Sequence, residues 1–522
     1  MQKIFDLFKK VFGVKVEQNI EANRTQNTTF TQTTNVFNFL LPALVLLLAL
    51  FILGVWGYNE YQKSKNNLSP MAVGTLNVVV APFSNQTKGQ CGASQDIGLL
   101  VADAFYSGLK SSAYDETSKV KPVFRSPREV PELEGETESQ LTKSAEDLAR
   151  KINSQIVIYG IITCTDIIQK PSAQIMFFVA PSSFSDAQEL IGEFSFSSGV
   201  LYGNLNSGEE FLSSNQTLQD QTLQMKINVM SLVIHALGSF LGENYPEALN
   251  AISTANTSKL WESEGGKEVV LIIAGNIEVR YAQQLSLNGQ EEQALREIKK
   301  AHDFYDQANN ISITNDRGEY ARSLIGFAAV EHFYATYKSE VSCKYQDIDT
   351  TKFISEENYL TRAESAPNNP PTADVAVKIE FNKAQIGLTL YALHPKSVKL
   401  DDLEKKYNSV IKSYLNPDDP HHPNHRILEI AAHSYSGLAF VYWYKGNDAA
   451  VVTNFNLAIK TTETPSLQAG YLKSFGDYYF YKKNYTEAVK YYKAALATNG
   501  KLPKCAGDLQ STISDIEKLI AN

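Results

Sequence analysis

The polar loop Ser84–Asp96 is the first stretch whose residue types suit chemistry, because it follows an apolar run and precedes a helical pattern. In α/β proteins, a loop in this position binds phosphate groups or carries a nucleophile. Its glycines match neither GxxxxGK[ST], nor GxSxG, nor GxGxxG. Cys91 would need a neighbouring histidine, and the first histidine of the chain is His235. We therefore interpret the segment as a surface loop, and we predict no catalytic residue and no cofactor.

A second polar cluster, Asp418–His425, combines carboxylates with imidazoles, which are common metal ligands. His421 and His425 have the i, i+4 spacing that would place both rings on one face of a helix. Pro420 and Pro423 disrupt such a helix. The sequence therefore favours a solvated loop between helices over a metal site, and we predict no metal ligand.

Net charge and cysteine spacing argue against two further classes of protein. The net charge is −9 and no basic face is concentrated anywhere, which disfavours nucleic acid as a partner. The cysteines, Cys91, Cys164, Cys343 and Cys505, form no CxxC pair, so neither a zinc knuckle nor a thioredoxin-like site is indicated. Their positions leave open whether they form disulfides and which redox compartment holds the protein.

The apolar segment Phe37–Tyr58 predicts a single transmembrane helix. It lies in a run without charged residues from Thr25 to Asn59. Roughly 20 apolar residues suffice to cross about 30 Å of hydrocarbon, and Trp56 would lie in an aromatic belt at the membrane surface. A secretory signal peptide, the alternative, needs a shorter apolar core close to residue 1.

The residues before this helix are amphipathic and then polar. Residues 1–16 predict a short helix that suits an anionic leaflet, although a frayed tail fits the same residues. Residues 17–36 are mostly Asn, Gln and Thr, which predicts a flexible spacer. The amphipathic pattern consists of Ile4, Phe5, Phe8 and Phe12 on one face, with Lys3 and Lys10 opposite.

The lysines and arginines that flank the apolar segment predict its orientation. Five precede it, whereas Lys63 and Lys65 follow it closely. Basic residues that flank a transmembrane helix are retained on the cytoplasmic side, so the larger number before the helix predicts a cytoplasmic amino terminus. The two lysines close behind the helix favour the opposite orientation. We expect residues 59–73 to be a tether and the large domains to be extracytoplasmic.

Residues 74–203 alternate between strand and helix patterns, which predicts an α/β domain with helices on a mixed sheet. Its last strands follow one another closely enough to form an antiparallel meander. The predicted elements are strand Leu76–Phe83, helix Ile97–Leu109, a strand at Val123 and Phe124, helix Glu138–Ile152, strand Gln155–Thr163, and strands at 173–180 and 190–198.

This order of elements, together with the segment Leu148–Gly160 (LARKINSQIVIYG), resembles the TolB amino-terminal, FlgO and CsgG-like α/β domains. The resemblance covers roughly residues 74–200. Domains of this type are interaction modules of bacterial envelopes or receptors. The resemblance therefore implies binding rather than catalysis.

After a polar linker at 204–224, residues 225–522 read as helices in which one spacing recurs, A-x₃-[IY]-x₂-A, with a small residue twelve positions earlier. Small residues at these points let two helices approach closely, and the larger residue fills the gap to the next repeat. The three copies are Ala236, Ala248, Ile252 and Ala255; Ala282, Ala294, Ile298 and Ala301; and Gly476, Ala488, Tyr492 and Ala495, with Tyr479 also on the last pattern.

The spacing resembles the tetratricopeptide repeat (TPR), a pair of antiparallel helices of about 34 residues. Residues 435–460 give a weaker copy, and between Ser312 and Asn416 only helices at 320–338, 374–393 and 400–414 are readable. The resemblance implies a superhelix that binds a protein or peptide. The predicted fold is thus α+β and multidomain: a transmembrane helix, a mixed-sheet α/β domain and an all-α TPR-like superhelix.

Two classes of function follow. The first is a membrane-anchored binding scaffold that presents the helical repeats and the α/β module to partners. The second is a sensor or enzyme with a small-molecule site at the carboxyl ends of the strands. Because no acid, base or nucleophile residues occur at motif spacing, the sequence favours the scaffold.

Overall fold

The computed structural model describes most of the chain beyond residue 67. The predicted amphipathic helix, spacer and transmembrane helix, residues 1–58, lie outside the described residues. Within the described residues, no helix is long and apolar enough to cross a membrane. The described ranges are 68–73, 76–87, 96–111, 120–165, 170–180, 190–196, 199–200, 221–262, 265–315, 319–366, 373–415, 427–498 and 509–521.

These residues form an α+β fold with one small mixed sheet and many helices, as predicted. The strands are β1 Leu76–Val80, β2 Ser84–Asn85, β3 Pro122–Arg125, β4 Ile156–Thr165, β5 Lys170–Val179, β6 Gly192–Ser195 and β7 Gly199–Val200. Their order is β3-β1-β4-β5-β6, with β2 beside β4 and β7 beside β5. β1 pairs in parallel with β3 and β4, whereas β5 is antiparallel to β4 and β6, which confirms the predicted meander.

The sheet is buried on both faces, because successive residues of β1 point into two different cores. Val78 belongs to the core covered by α1 (Ile97–Ser111), and Val79 to the core covered by α2 (Glu138–Ile152). α2 ends at Asn153, whose left-handed backbone (φ 56°) turns the chain directly into β4. The segment that carried the envelope-domain resemblance is this turn from helix to strand.

The helical body consists, within the described residues, of six pairs of consecutive contacting helices and one final helix. Short connections make the two helices of each pair antiparallel. It begins at Gln221, four residues earlier than predicted. The pairs are α3 Gln221–Leu241 and α4 Tyr245–Asn256; α5 Lys267–Leu287 and α6 Glu291–Asn315; α7 Glu319–Ser342 and α8 Thr350–Glu364; α9 Ala373–Leu393 and α10 Leu400–Leu415; α11 Leu428–Lys445 and α12 Asp448–Thr461; α13 Pro465–Tyr481 and α14 Tyr485–Ala497; the final helix is α15 Leu509–Ala521.

The middle of the body is more regular than the sequence predicted. The three helices predicted there are confirmed as α7, α9 and α10. α8 was not predicted, because its sequence is largely polar and only Phe353, Leu360 and Ala363 are apolar residues buried in the core. Its pairing with α7 restores the alternation of helices through the stretch that appeared irregular.

One apolar core spans the sheet and the first helices of the body. It includes Val78 and Phe177 of the sheet, Ile227 of α3 and Ile273 of α5. α1 and α3 approach so closely that a Cβ on Gly108 would lie 2.7 Å from Ile227 Cγ2. The sheet and the start of the helical body are therefore one folding unit, although the sequence places a linker between them.

Truncation tests this shared core. A chain ending at residue 220 keeps α1 but lacks α3, so the apolar surface that α1 and the sheet bury against α3 is exposed. We expect strong binding of a hydrophobic dye and no cooperative thermal transition. A chain ending at residue 315 keeps α3–α6 and should unfold cooperatively. Both chains are compared in the same detergent by circular dichroism. Cooperative unfolding of the shorter chain would contradict the shared core.

Candidate functional site

The residues predicted at repeat positions lie in contacts between helices rather than at an open site. Nearly all of them are buried, whereas Tyr479 is partly exposed and stacks on Tyr491 with ring centroids 5.5 Å apart. They set how closely the helices approach. The buried set is Ala236, Ala248, Ile252, Ala255, Ala282, Ala294, Ile298, Ala301, Gly476, Ala488, Tyr492 and Ala495.

Gly476 shows this constraint directly. The Tyr492 ring lies against it, and a Cβ on Gly476 would lie 2.5 Å from Tyr492 Cε1. The Tyr492 hydroxyl donates to Asp477 Oδ1 at 2.9 Å, which fixes the ring. The same contact of a glycine with a tyrosine on an adjacent helix recurs at Gly437 with Tyr407, and at Gly275 and Gly326, which both face Tyr305.

A groove of about 790 Å³ runs along the first helices of five successive pairs, α5, α7, α9, α11 and α13, which we call the inner helices. Three of them present polar side chains to the groove at the same i, i+4, i+7 spacing, so each carries a polar stripe on one face. The stripes are Asn276, Arg280 and Gln283 on α5; His332, Thr336 and Ser339 on α7; and Lys378, Asn382 and Gln385 on α9.

Most charged groups along the groove have a partner of opposite charge or a hydrogen-bond acceptor. His332 Nδ1 lies 3.2 Å from Glu356 Oε2, and Lys473 Nζ lies 2.7 Å from Asp477 Oδ2. Arg280 donates to the amide oxygen of Gln283 at 2.8 Å and contacts no carboxylate in the part of the chain that the structure describes. Among the described residues, Arg280 is therefore a groove-lining cation whose charge meets no contacting carboxylate.

Asn276, one turn before Arg280, is a second unusual group. Its side chain is only 4% exposed, and its Oδ1 accepts a hydrogen bond from the Tyr305 hydroxyl at 2.7 Å. Its Nδ2 has no partner among the described residues. A buried donor without a partner costs about 1–3 kcal/mol, so such a group calls for an explanation, and a ligand that accepts its hydrogen bond is one. Within the described chain, α5 therefore combines an amide N–H donor that has no partner with a cation that contacts no carboxylate.

The edge of the sheet also reaches the inner helices. Lys378 Nζ donates to the backbone oxygen of Ile191 at 3.0 Å, and Lys378 is itself buried. Arg322 of α7 donates to the backbone oxygen of Glu193 at 3.2 Å, and its guanidinium lies 4.6 Å from the centroid of the Phe194 ring. These backbone oxygens belong to β6 and the residue before it. Two cations of the helical body thus hold an extended main chain.

A buried acidic group lies on another face of α5. Burial, and next the charge of Glu297, raise the pKa of Glu278 from its usual 4.5 to about 8, although Lys300 acts in the opposite direction. Lys300 is paired with Glu297 one turn away on α6. Glu278 is therefore protonated at neutral pH in the folded protein.

The other polar segments singled out from the sequence give no site in the described residues. Residues 88–95, which include Cys91, and the cluster Asp418–His425 lie outside them. In the described part of the first loop, Asn85 Oδ1 accepts hydrogen bonds from the backbone and hydroxyl of Thr87, a local turn. No group of three His, Cys, Asp or Glu residues that could hold a metal occurs in the described ranges.

The cysteine question left open by the sequence is resolved at two positions. Cys164, in β4, and Cys343, just after α7, are each in a disulfide. Neither is therefore a free thiol available for catalysis.

The polar stripes of the inner helices were not predicted from the sequence. α5 contains the long buried run Glu268–Val279, so its polar residues look like isolated interruptions of a core helix. The signal was the shared i, i+4, i+7 spacing of polar residues on three helices, which can be recognised once the helices are aligned.

Paired glycine substitutions on α13 test the role of the repeat positions. Gly476→Ala should destabilise the carboxy-terminal pair by about 1–3 kcal/mol, because the new methyl group overlaps the Tyr492 ring. Gly470→Ala on the same helix meets open space and should be neutral or stabilise by up to about 1 kcal/mol. Limited proteolysis and thermal unfolding measure both. Equal effects of the two substitutions would contradict the predicted contact.

The raised pKa of Glu278 predicts a pH dependence of stability. The folded state binds the Glu278 proton more tightly than the unfolded state does. Protonated Glu278 therefore contributes fully to the free energy of unfolding below pH 4.5, and this contribution is lost as pH rises to about 8. Glu278→Gln should therefore flatten the fall of melting temperature across this interval, whereas Glu292→Gln, an exposed control on α6, should not. Identical slopes for wild type and Glu278→Gln would refute the assignment.

No protein-family model matches this chain. A search of curated proteins likewise finds no similar one. The geometry of the groove is therefore the basis for assigning a function.

Proposed function

We propose that the protein is a membrane-anchored binding scaffold whose groove holds a protein or peptide partner. The observation that carries this proposal is the repeated polar stripe, in which three successive inner helices present polar residues at one spacing to one groove. Packing alone does not account for polar side chains on such apolar helices, because burying polar groups is unfavourable. Ligand sites typically combine an apolar lining with a few polar groups of this kind.

We infer that the helical body belongs to the TPR type. Small residues at the contacts within pairs, and the regular alternation of inner and outer helices, support this assignment. In arrays of this kind each repeat contacts its neighbours, and the inner helices together form an extended binding surface.

We propose that the α/β domain is a second interaction module, on the basis of its resemblance to the TolB amino-terminal, FlgO and CsgG-like domains. Its shared core with α3–α5 supports a role in fixing the first helices of the body. The two modules would then present their surfaces in a fixed relation.

We propose that residues 37–58 anchor the chain and that the residues after them lie outside the cytoplasm. The disulfides of Cys164 and Cys343 support this orientation. Structural disulfides persist in oxidising compartments and are rare in the cytosol of most organisms.

The anchor is tested by carbonate extraction of membranes. Wild-type protein should remain in the pellet, and Leu47→Arg, which costs about 2.5–3.5 kcal/mol near the helix centre, should shift protein to the supernatant. Thr33→Arg, in the polar segment before the helix, should behave like wild type. Complete release of wild type would overturn the membrane anchor. Recovery of Cys164 and Cys343 as alkylated thiols from rapidly quenched cells would overturn the location outside the cytoplasm.

The scaffold is tested by blocking the groove of the full chain. Ser339→Arg places a long side chain in the groove from α7, whereas Ser409→Arg places the same side chain on the exposed face of α10. A partner cross-linked in intact cells and purified in detergent should be lost with Ser339→Arg and retained with Ser409→Arg. Thermal unfolding checks that both variants are folded. Retention of every partner by Ser339→Arg would argue against the groove as the binding site.

A further inference from the structure

The polar stripe of α5 indicates which chemical group the groove would bind. Arg280 is half-buried, donates to Gln283 Oε1 at 2.8 Å and contacts no carboxylate in the described chain. We propose that the groove binds an extended peptide segment that places an Asp or Glu side chain on Arg280. This inference rests on the groove being the binding site proposed above, and it names the chemistry of the occupant.

The charge of the groove selects a carboxylate. The acidic side chains that line it, Glu340 and Glu356, already accept hydrogen bonds from Thr336 or lie against His332. A basic ligand group would therefore compete with existing partners, whereas a carboxylate on Arg280 displaces no carboxylate. Charge-assisted hydrogen bonds from a guanidinium are strong and directional, which makes arginine a frequent carboxylate receptor.

The amides of the stripes suit a peptide main chain. Asn276 has an unpartnered donor one turn before Arg280, and Gln283 follows about one turn after it. Asn382 and Gln385 line the groove from α9. A side-chain amide carries donors and an acceptor, the complement of a peptide unit. The oxygens of Asn276 and Gln283 already accept hydrogen bonds within the protein, so these two residues offer their N–H donors to a peptide carbonyl. Because amides occur on both sides of Arg280, the stripe suits a carboxylate within a segment rather than at its end.

The helical body already binds an extended main chain of this kind. Lys378 and Arg322 donate to the backbone oxygens of Ile191 and Glu193 at the sheet edge. Lys378 also lines the groove, so the site where β6 is held and the proposed peptide site adjoin each other on α9. The chain therefore contains an internal example of the recognition that we propose for a partner.

Three pools of peptides distinguish a side-chain carboxylate, a terminal carboxylate and no carboxylate as the bound group. The peptides are about ten residues long and fluorescently labelled, and apart from the residues named below their sequences are random. The first contains Asp and Glu and ends in an amide. The second pool has Asn and Gln in place of Asp and Glu and also ends in an amide. The third pool has the sequences of the second but ends in a free carboxylate. Binding to the full chain in detergent is measured by fluorescence polarisation at low and high salt. The first pool should bind about 10- to 100-fold more tightly than the second, and this advantage should shrink at high salt.

Matched variants locate the effect. Arg280→Gln should remove the preference for the acidic pool while leaving the weaker binding of the neutral pool, and Arg296→Gln, an exposed arginine on α6, should retain the preference. Equal binding of all pools, or an unchanged preference in Arg280→Gln, overturns the carboxylate site but leaves a peptide groove. A preference for the third pool alone assigns the site to a chain terminus and overturns the side-chain assignment. No binding of any pool rejects the peptide groove itself.

Discussion

The packing of α3 on α1 and the sheet is the interaction on which the rest of the structure depends. Gly108 leaves no room for a side chain because Ile227 occupies that space, and the apolar core continues from there to Ile273 of α5. α5 carries Asn276 and Arg280, so the geometry of the candidate site is fixed by the sheet through two layers of apolar contacts. Two parts of the chain that the sequence predicts as separate domains are, at this junction, a single packed body.

The distance between helices is set by a second constraint, the contact of a glycine with a tyrosine ring. Gly275 and Gly326 lie on neighbouring inner helices and face the same residue, Tyr305, from α6. The hydroxyl of Tyr305 then donates to Asn276 Oδ1, which orients the amide at the groove. Tyr305 therefore makes two kinds of contact: its ring spaces the helices, and its hydroxyl positions an amide that lines the groove.

The sequence predicted what depends on local patterns. The turn from α2 into β4, the meander and the small residues at Ala248 or Ala488 follow from periodicity and spacing within a few tens of residues. α8 was missed because a helix stabilised by few apolar contacts leaves a weak pattern. The shared core and the groove depend on contacts between segments far apart in the chain, such as Lys378 with Ile191, for which a single sequence carries no signal.

The edge of the sheet accounts for two cations of the inner helices, the buried Lys378 and the half-buried Arg322. An edge strand leaves backbone groups without partners and invites association with other chains. Here Lys378 and Arg322 supply donors to the backbone oxygens of the β6 edge, so the helical body protects the sheet. Lys378 also lines the groove. A partner that accepted a hydrogen bond from Lys378 would compete with the backbone oxygen of Ile191, so its binding and the position of the sheet edge would be coupled, and by linkage equally in both directions.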